Sequence, residues 1–321
     1  MSIAFTFPGQ GSQQVGMGKE LSEQSPAAKA VFEEIDDALG KKLTSIMWDG
    51  PTDQLTLTEN AQPALMAVSM AVMACLKSEF GFDLQSKVKF VAGHSLGEYS
   101  ALAAAGTFTL KDTAQLLTLR GKSMQAAVPV NEGAMAAILG LDLEDAEKLA
   151  EKAKEGGEAS KGEVCTAAND NAPGQVVLSG HREAIERAVN LASEFGARRA
   201  VLLDVSAPFH CALMQPAADA MKDALGNTDM KDPVVPLISN TQATALTNSD
   251  EIRQGLVDQV TGRVRWRESV AFMAANGITT TYEIGAGRVL TGLARRIERD
   301  LNALSIGTHE DVRTEAENLT N

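Results

Sequence analysis

An excess of positive charge is the first thing this chain lacks. Against 29 lysines and arginines stand 42 aspartates and glutamates, a formal net charge of -13. A surface of that sign disfavours wholesale binding to nucleic acid or an anionic membrane, so an acidic partner would need a local basic patch. Cysteine is scarce and odd in number. Cys75, Cys165 and Cys211 lie far apart, which indicates neither a disulfide framework nor a zinc site and leaves three reduced, mostly core thiols. No apolar run approaches the roughly 18 residues that cross a bilayer, and Met1 to Phe7 is too short for a signal peptide. A cytoplasmic protein is expected, with no membrane and no nucleic-acid partner. Aromatics are only 4% of residues and histidines number four, which narrows any search for a general base.

What is present is ordinary for a soluble globular chain: 321 residues, 44% hydrophobic and 22% charged, enough for one large domain or two modest ones. Ile3-Ala4-Phe5-Thr6-Phe7 reads as a buried strand running into the loop Pro8-Gly9-Gln10-Gly11-Ser12-Gln13. That loop lacks the third glycine of a dinucleotide fingerprint, so a Rossmann site is rejected. Helical periodicity follows over 26–39 and 61–79, with Met66, Met70 and Met73 on one core stripe. Val88 to Ala92 is a second strand, succeeded by a tight turn, an alanine-rich helix over 98–105 and another over 110–127. Residues 133–205 then read β-α-β-β-α-β, the ferredoxin-like order, with the turn Asn171-Ala172-Pro173-Gly174 between the middle strands. After it the α/β pattern resumes, with strands near 235–239 and 280–284 and helices at 213–225, 250–260, 266–276 and 288–300. The expected division is a discontinuous α/β domain over 1–129 and 205–307, a ferredoxin-like insert over 130–204, and a polar tail over 308–321 that is a frayed helix or disordered.

The turn Gly93-His94-Ser95-Leu96-Gly97 carries the strongest chemical signal. Gly-x-Ser-x-Gly between a strand and a helix makes a sharp elbow that projects the serine hydroxyl, tolerable because small residues flank it. The Leu96 N–H, at the positive end of the next helix, would face a developing oxyanion. A helix-capping Ser95 is the bland alternative, and it leaves the two glycines unexplained.

A serine hydroxyl needs a general base. His94 neighbours the nucleophile and should point away, His181 begins a helix of the insert, and His309 lies in the tail. His210 remains, in the loop Ser206-Ala207-Pro208-Phe209-His210 just past a predicted strand end, although a structural histidine is the plain alternative. Cys211 follows it directly, but adjacent side chains usually point apart. Arg120 lies at the edge of an apolar helix stripe with Leu116, Leu117 and Met124. It reads equally as a snorkelling side chain or as a bidentate clamp on a carboxylate. Gln10 reads equally as loop filler or as a second backbone oxyanion donor.

Together, Phe7-Pro8-Gly9-Gln10-Gly11-Ser12-Gln13, Gly93-His94-Ser95-Leu96-Gly97-Glu98-Tyr99, Arg120-Gly121, Asn171-Ala172-Pro173-Gly174-Gln175 and Pro208-Phe209-His210 resemble the malonyl-CoA:acyl carrier protein transacylases of bacterial type II fatty-acid synthesis. The likeness covers about residues 3 to 300. It implies an α/β-hydrolase-like large domain with an inserted ferredoxin-like small domain. It makes Ser95 the nucleophile and His210 its base, Gln10 and Leu96 the oxyanion hole, and Arg120 the holder of the malonyl carboxylate. Asn171 would contact substrate, and Phe209 would crowd a 2-methyl branch. By the same resemblance a backbone carbonyl, carried onto Gln259, orients the histidine where hydrolases use a carboxylate. Two segments depart from the family pattern: Gly262-Arg263-Val264-Arg265-Trp266 replaces Asn-Pro before Val-x-Trp, and Gly285-Ala286-Gly287 replaces Gly-Pro-Gly.

The implied reaction is ping-pong acyl transfer, from malonyl-CoA as substrate through a malonyl-serine ester to the phosphopantetheine thiol of acyl carrier protein, with no bound metal or redox cofactor. The acidic carrier would dock on a local basic surface, for which Arg263, Arg265, Arg267, Arg288, Arg295 and Arg296 are candidates, and a monomer is expected. Two rivals stay open at this level. A serine esterase or thioesterase shares the elbow and the base, and a non-catalytic acyl-binding module would not need Ser95.

Overall fold

A computed structural model describes residues 2–156, 162–205 and 207–320. The chain builds two sheets. The larger runs β10-β9-β1-β2-β7-β8 and is parallel except for its last pair. Its strands are β1 (Ile3–Phe7), β2 (Val88–Gly93), β7 (Leu237–Ile238), β8 (Ala245–Leu246), β9 (Thr280–Ile284) and β10 (Asn302–Ile306). The smaller runs β4-β5-β3-β6 and is antiparallel throughout. It is made of β3 (Gly133–Leu139), β4 (Cys165–Ala172), β5 (Gln175–His181) and β6 (Arg199–Leu202). That order is the ferredoxin-like one.

The period-2 alternation of strand side chains divides the larger domain's core in two. Ile3, Phe5 and Phe7 of β1, with Val91 of β2, face the main core, which includes the helices Pro26–Leu39, Thr58–Phe80 and Leu110–Ala126. Ala4, Phe90 and Ala92 face the other side, against Trp266, Val270 and Met273 of the helix Trp266–Ala275 and Leu290 and Leu293 of the helix Val289–Ile297. Helices on both faces are why β1 is buried at all five positions. The insert has its own core, where the helices Leu143–Ala153 and Arg182–Leu191 cover one face of its sheet. Backbone and ion-pair links stitch it to the larger domain. Asp170 N–H donates to Val264 O at 3.0 Å and Val264 N–H to Ala168 O at 2.9 Å, while Arg267 pairs with the buried Asp170 at 2.8 Å.

Two expectations need correction. The tail is neither frayed nor disordered over 309–320. It forms the helix His309–Thr320, whose Val312, Ala316 and Leu319 share one buried stripe, pinned by His309 Nε2 to Glu79 at 2.9 Å and Lys87 Nζ to Thr320 O at 2.6 Å. Three apolar residues at helical spacing are enough to dock an otherwise polar segment. The Thr58–Phe80 helix is long and apolar enough to cross a bilayer, but 67% of its most apolar stretch is buried inside the fold. Met66 and Met70 lie in that core, as their stripe predicts.

Candidate active site

Parallel pairing of β1 with β2 puts Phe7 opposite Gly93, so the first loop and the serine turn leave the sheet side by side at the carboxyl ends of their strands. There the turn folds on itself. A Cβ at Gly93 would sit 1.9 Å from the Gly97 carbonyl, and one at Gly97 would sit 2.2 Å from Phe7 O, so glycine alone fits both places. Ser95 between them holds a left-handed backbone with φ 54°, a conformation costing about 1–3 kcal/mol that neighbours must over-determine. Asn240 supplies that restraint. Its Oδ1 accepts from Ser95 N–H at 2.8 Å while its Nδ2 donates to Gly93 O at 2.7 Å.

Ser95 Oγ lies 2.8 Å from His210 Nε2. On the ring's other side, His210 Nδ1 lies 2.8 Å from the backbone carbonyl of Gln259. A carbonyl only accepts, so Nδ1 carries the proton and Nε2 is the lone pair facing the serine. The carbonyl is available because Gln259 sits in the last turn of the helix Ser249–Thr261, where helix carbonyls have no partner within the helix. The departure at Gly262-Arg263 leaves that end in place, with Gly262 N–H closing on Asp258 O at 2.8 Å. Burial first, then the Arg120 charge, hold the imidazole down to about 3, so it is neutral at ordinary pH. Of the predicted loop before it, Ser206 lies outside the described residues.

Arg120 does not snorkel: it is 1% exposed. It lies on the helix Leu110–Ala126, started by Thr109 accepting from Asp112 N–H, on a buried stripe with Thr113, Leu116, Leu117 and Met124. The adjacent Gly121 is the point of closest helix approach, where a Cβ would meet Glu59 Cα at 2.6 Å. That closeness brings Gln62 of the Thr58–Phe80 helix within reach. Arg120 Nη1 donates to Gln62 Oε1 at 2.9 Å, and Nη2 donates to Gln259 Oε1 at 2.8 Å and to Ser95 Oγ at 3.1 Å. The Tyr99 ring lies 5.8 Å from the guanidinium carbon. Among the described residues only neutral groups touch this buried cation, an arrangement that favours an incoming carboxylate.

Beneath the elbow is a residue that the sequence reading quoted without giving it a task. Glu98, 2% exposed, accepts from Asn240 N–H at 2.6 Å and from Gln259 Nε2. Burial pushes its carboxyl up to about 8, against the pull of those donors and of Arg120. Gln259 Nε2 also donates to Ser95 O at 2.9 Å. Gln62, Glu98 and Asn240 are the site residues that sequence reasoning missed. The available signal for two of them was a polar residue on a largely apolar stretch, Gln62 before residues 63–73 and Glu98 at the start of the alanine-rich helix.

The remaining candidates are placed as follows. Gln10 is in the loop after β1, and neither its N–H nor that of Leu96 has a partner among the described residues. His94 Nε2 lies 2.8 Å from Asn171 Oδ1 of the insert, and its ring is 5.6 Å from that of Trp266. Asn171 thus joins the elbow to the insert. Phe209, beside the base, is buried in the main core. Among the six arginines, Arg263 pairs with Glu147, Arg265 with Glu268 and Arg267 with Asp170. Arg295 donates to Ala303 O and Arg296 to Gln175 Oε1, and the Arg288 guanidinium has no partner among the described residues.

Three comparisons bear on this geometry. The family model described as "Acyl transferase domain" matches residues 4–306. The malonyl CoA-acyl carrier protein transacylase of Bacillus subtilis (strain 168) is 47% identical over 310 residues, covering 97% of this chain and 95% of that protein. A crystal structure of an acyl-carrier-protein-S-malonyltransferase from Bartonella henselae superposes with a TM-score of 0.96 at 57% identity, covering 100% of each chain. A malonyl-transacylase solved in complex with its type II PKS acyl-carrier protein superposes with a TM-score of 0.93 at 40% identity, covering 99% of this chain and 100% of that one.

Proposed function

Since the chain belongs to the acyl transferase domain family, among the malonyl CoA-acyl carrier protein transacylases, we propose that it moves a malonyl group from malonyl-CoA to the phosphopantetheine thiol of acyl carrier protein through a malonyl ester on Ser95. The observation that carries this reading is one hydroxyl, Ser95 Oγ, lying between a neutral imidazole at 2.8 Å and a buried guanidinium at 3.1 Å.

The cycle follows from the parts. Ser95 Oγ attacks the thioester carbonyl as His210 Nε2 takes its proton, and Gln259 O holds Nδ1 and steadies the imidazolium. The oxyanion is received by the N–H groups of Leu96 and Gln10. His210 returns the proton to the departing coenzyme A thiolate, and the carrier's thiol then takes the acyl group by the same steps reversed. Arg120 holds the malonyl carboxylate, Asn171 contacts the acyl thioester, and Phe209 disfavours a 2-methyl branch, by only about 1–3 kcal/mol. The chemistry is acyl and proton transfer and calls on no bound cofactor. Malonyl-CoA is a substrate, and phosphopantetheine arrives on the carrier.

We infer that the enzyme works as a cytoplasmic monomer in fatty-acid synthesis. Carrier docking is assigned to Arg288, Arg295 and Arg296, which are exposed and lack a carboxylate partner among the described residues, with Arg263, Arg265 and Arg267 at its edge.

The test mixes the protein with malonyl-CoA, with and without carrier protein bearing a free phosphopantetheine thiol. Malonyl-carrier formation through an ester on Ser95, absent in Ser95→Ala, is expected. Rapid malonate release without transfer would instead mark a hydrolase, and turnover by Ser95→Ala would remove the nucleophile.

A further inference from the structure

We propose that Glu98 is a positioning residue for malonyl selection: it fixes which way the Gln259 amide faces, and thereby presents an acceptor to the Arg120 guanidinium. Glu98 touches neither the acyl group nor Ser95 Oγ. The inference rests on Arg120 as the holder of the acyl carboxylate.

The hydrogen-bond senses leave little freedom. One Glu98 oxygen accepts from Asn240 N–H at 2.6 Å, and that backbone donor has no alternative sense. The other accepts from Gln259 Nε2. Gln259 Nε2 is thereby directed at Glu98 and Ser95 O, so Gln259 Oε1 is turned to Arg120 Nη2 at 2.8 Å. With Gln62 Oε1 on Nη1 at 2.9 Å, the guanidinium is braced on both sides and faces Ser95 Oγ. Were the Gln259 amide reversed, its NH2 would confront Arg120, two donors with no acceptor between them, and a buried donor left unpaired is costly. Only a group that accepts at both oxygens enforces the observed sense, as the ionised carboxylate does, and because burial raises the Glu98 carboxyl to about 8 the sense is fixed above that pH.

Glu98→Gln has nearly the same shape and cannot satisfy this network. If its amide nitrogen faces Asn240, it meets the backbone N–H. If it faces Gln259, it meets Nε2, unless Gln259 reverses and meets Arg120. Each arrangement leaves one pair of donors face to face. The backbone carbonyl of Gln259 is held by its helix, so the His210 contact is spared. The effect therefore falls on the carboxylate-binding arm of the site rather than on the Ser95–His210 pair.

The experiment compares, at about pH 9 where the Glu98 carboxylate is ionised, kcat/KM for loading Ser95 from malonyl-CoA and from acetyl-CoA, whose acyl group has no carboxylate, in wild type, E98Q and E98D. The malonyl-to-acetyl ratio is expected to fall about tenfold in E98Q, with acetyl loading within about threefold of wild type, while E98D, still acceptor-only, keeps a ratio nearer wild type. A packing role would rank the variants the other way, because Gln fills the volume of Glu and Asp leaves a void. An unchanged ratio in E98Q, or an equal fall for both acyl groups, overturns the proposal. Should E98Q fail to fold, Gln259→Met carries the test, since that amide is the link to Arg120: a tenfold lower ratio supports the proposal and a wild-type ratio overturns it. If the wild-type protein forms no malonyl ester at all, the acyl-transfer reading falls and takes this inference with it. Wild-type loading with an unaltered E98Q ratio overturns this inference alone.

Discussion

Arg120 Nη2 lies 3.1 Å from Ser95 Oγ, a buried cation held against a hydroxyl by the amide oxygens of two glutamines. Ordinary burial would demand a carboxylate partner for such a charge, and the nearest, Glu98, is directed to other donors. On the proposed reading, the malonyl carboxylate is the partner that completes the pair.

Removing the guanidinium should therefore cost malonyl loading far more than acetyl loading. Arg120→Ala is expected to lower kcat/KM for malonyl-CoA by about two orders of magnitude while acetyl-CoA loses much less. Arg120→Lys should restore little, because an ammonium cannot reproduce the planar fork. Mass spectrometry of the Ser95 ester after mixing with each thioester reads both outcomes.

The pH dependence should be unlike that of a free histidine. Burial and the Arg120 charge hold His210 down to about 3, so the base form persists as pH falls through 6.5. Acetyl loading, which does not depend on the carboxylate-binding arm, should stay level from pH 8 to about 5. A fall centred near 6.5 would show a base with an ordinary pKa.

Two glycines should respond oppositely to the same added methyl. Gly97→Ala forces a Cβ to 2.2 Å from Phe7 O, and a lower Tm by roughly 5 °C or more is expected, with loss of loading. Gly292, inside the helix Val289–Ile297, has open space around its Cβ position. There alanine should raise stability by about 0.5–1 kcal/mol. Thermal melts of both variants decide it.

Reversing Arg288 and Arg296 to glutamate should slow transfer to the acidic carrier, chiefly through the association rate and most at low salt, while malonyl loading from coenzyme A survives. Equal transfer rates in variant and wild type would move the docking surface elsewhere.

Much of this site was legible before the coordinates. The elbow announced itself because a left-handed serine needs small flanking residues, and glycine at 93 and 97 is a local signal. His210 followed from the scarcity of histidine together with its position past a strand end. Arg120 remained ambiguous, because a helix stripe does not reveal whether a guanidinium turns inward or out. Glu98, Asn240 and Gln62 were illegible for a different reason. Their tasks depend on separate segments meeting in space, and a polar residue whose partners lie on other segments has no partner visible along the chain. The fold shows the same division. Strong periodicity identified the ferredoxin-like insert and the helices of the larger domain. The edge strands β8 and β10 draw their stability from docking and were missed, and the closing helix His309–Thr320, foreseen only as frayed or disordered, is docked through Val312, Ala316 and Leu319.

The peptide carbonyl of Gln259, standing behind His210 where a carboxylate might have been, has a consequence for timing. A dipole favours the imidazolium less than a full negative charge does, so the base is weak towards every attacker, and the Ser95 hydroxyl is served by being fixed 2.8 Å from Nε2. An attacker on the proposed ester has no such fixed place. A thiol, with a pKa of about 8.5, needs little help from the base, whereas water, at about 15.7, depends on it. On that reading a weak base favours transfer to a thiol over hydrolysis, and incoming nucleophiles are sorted by acidity before they are sorted by shape.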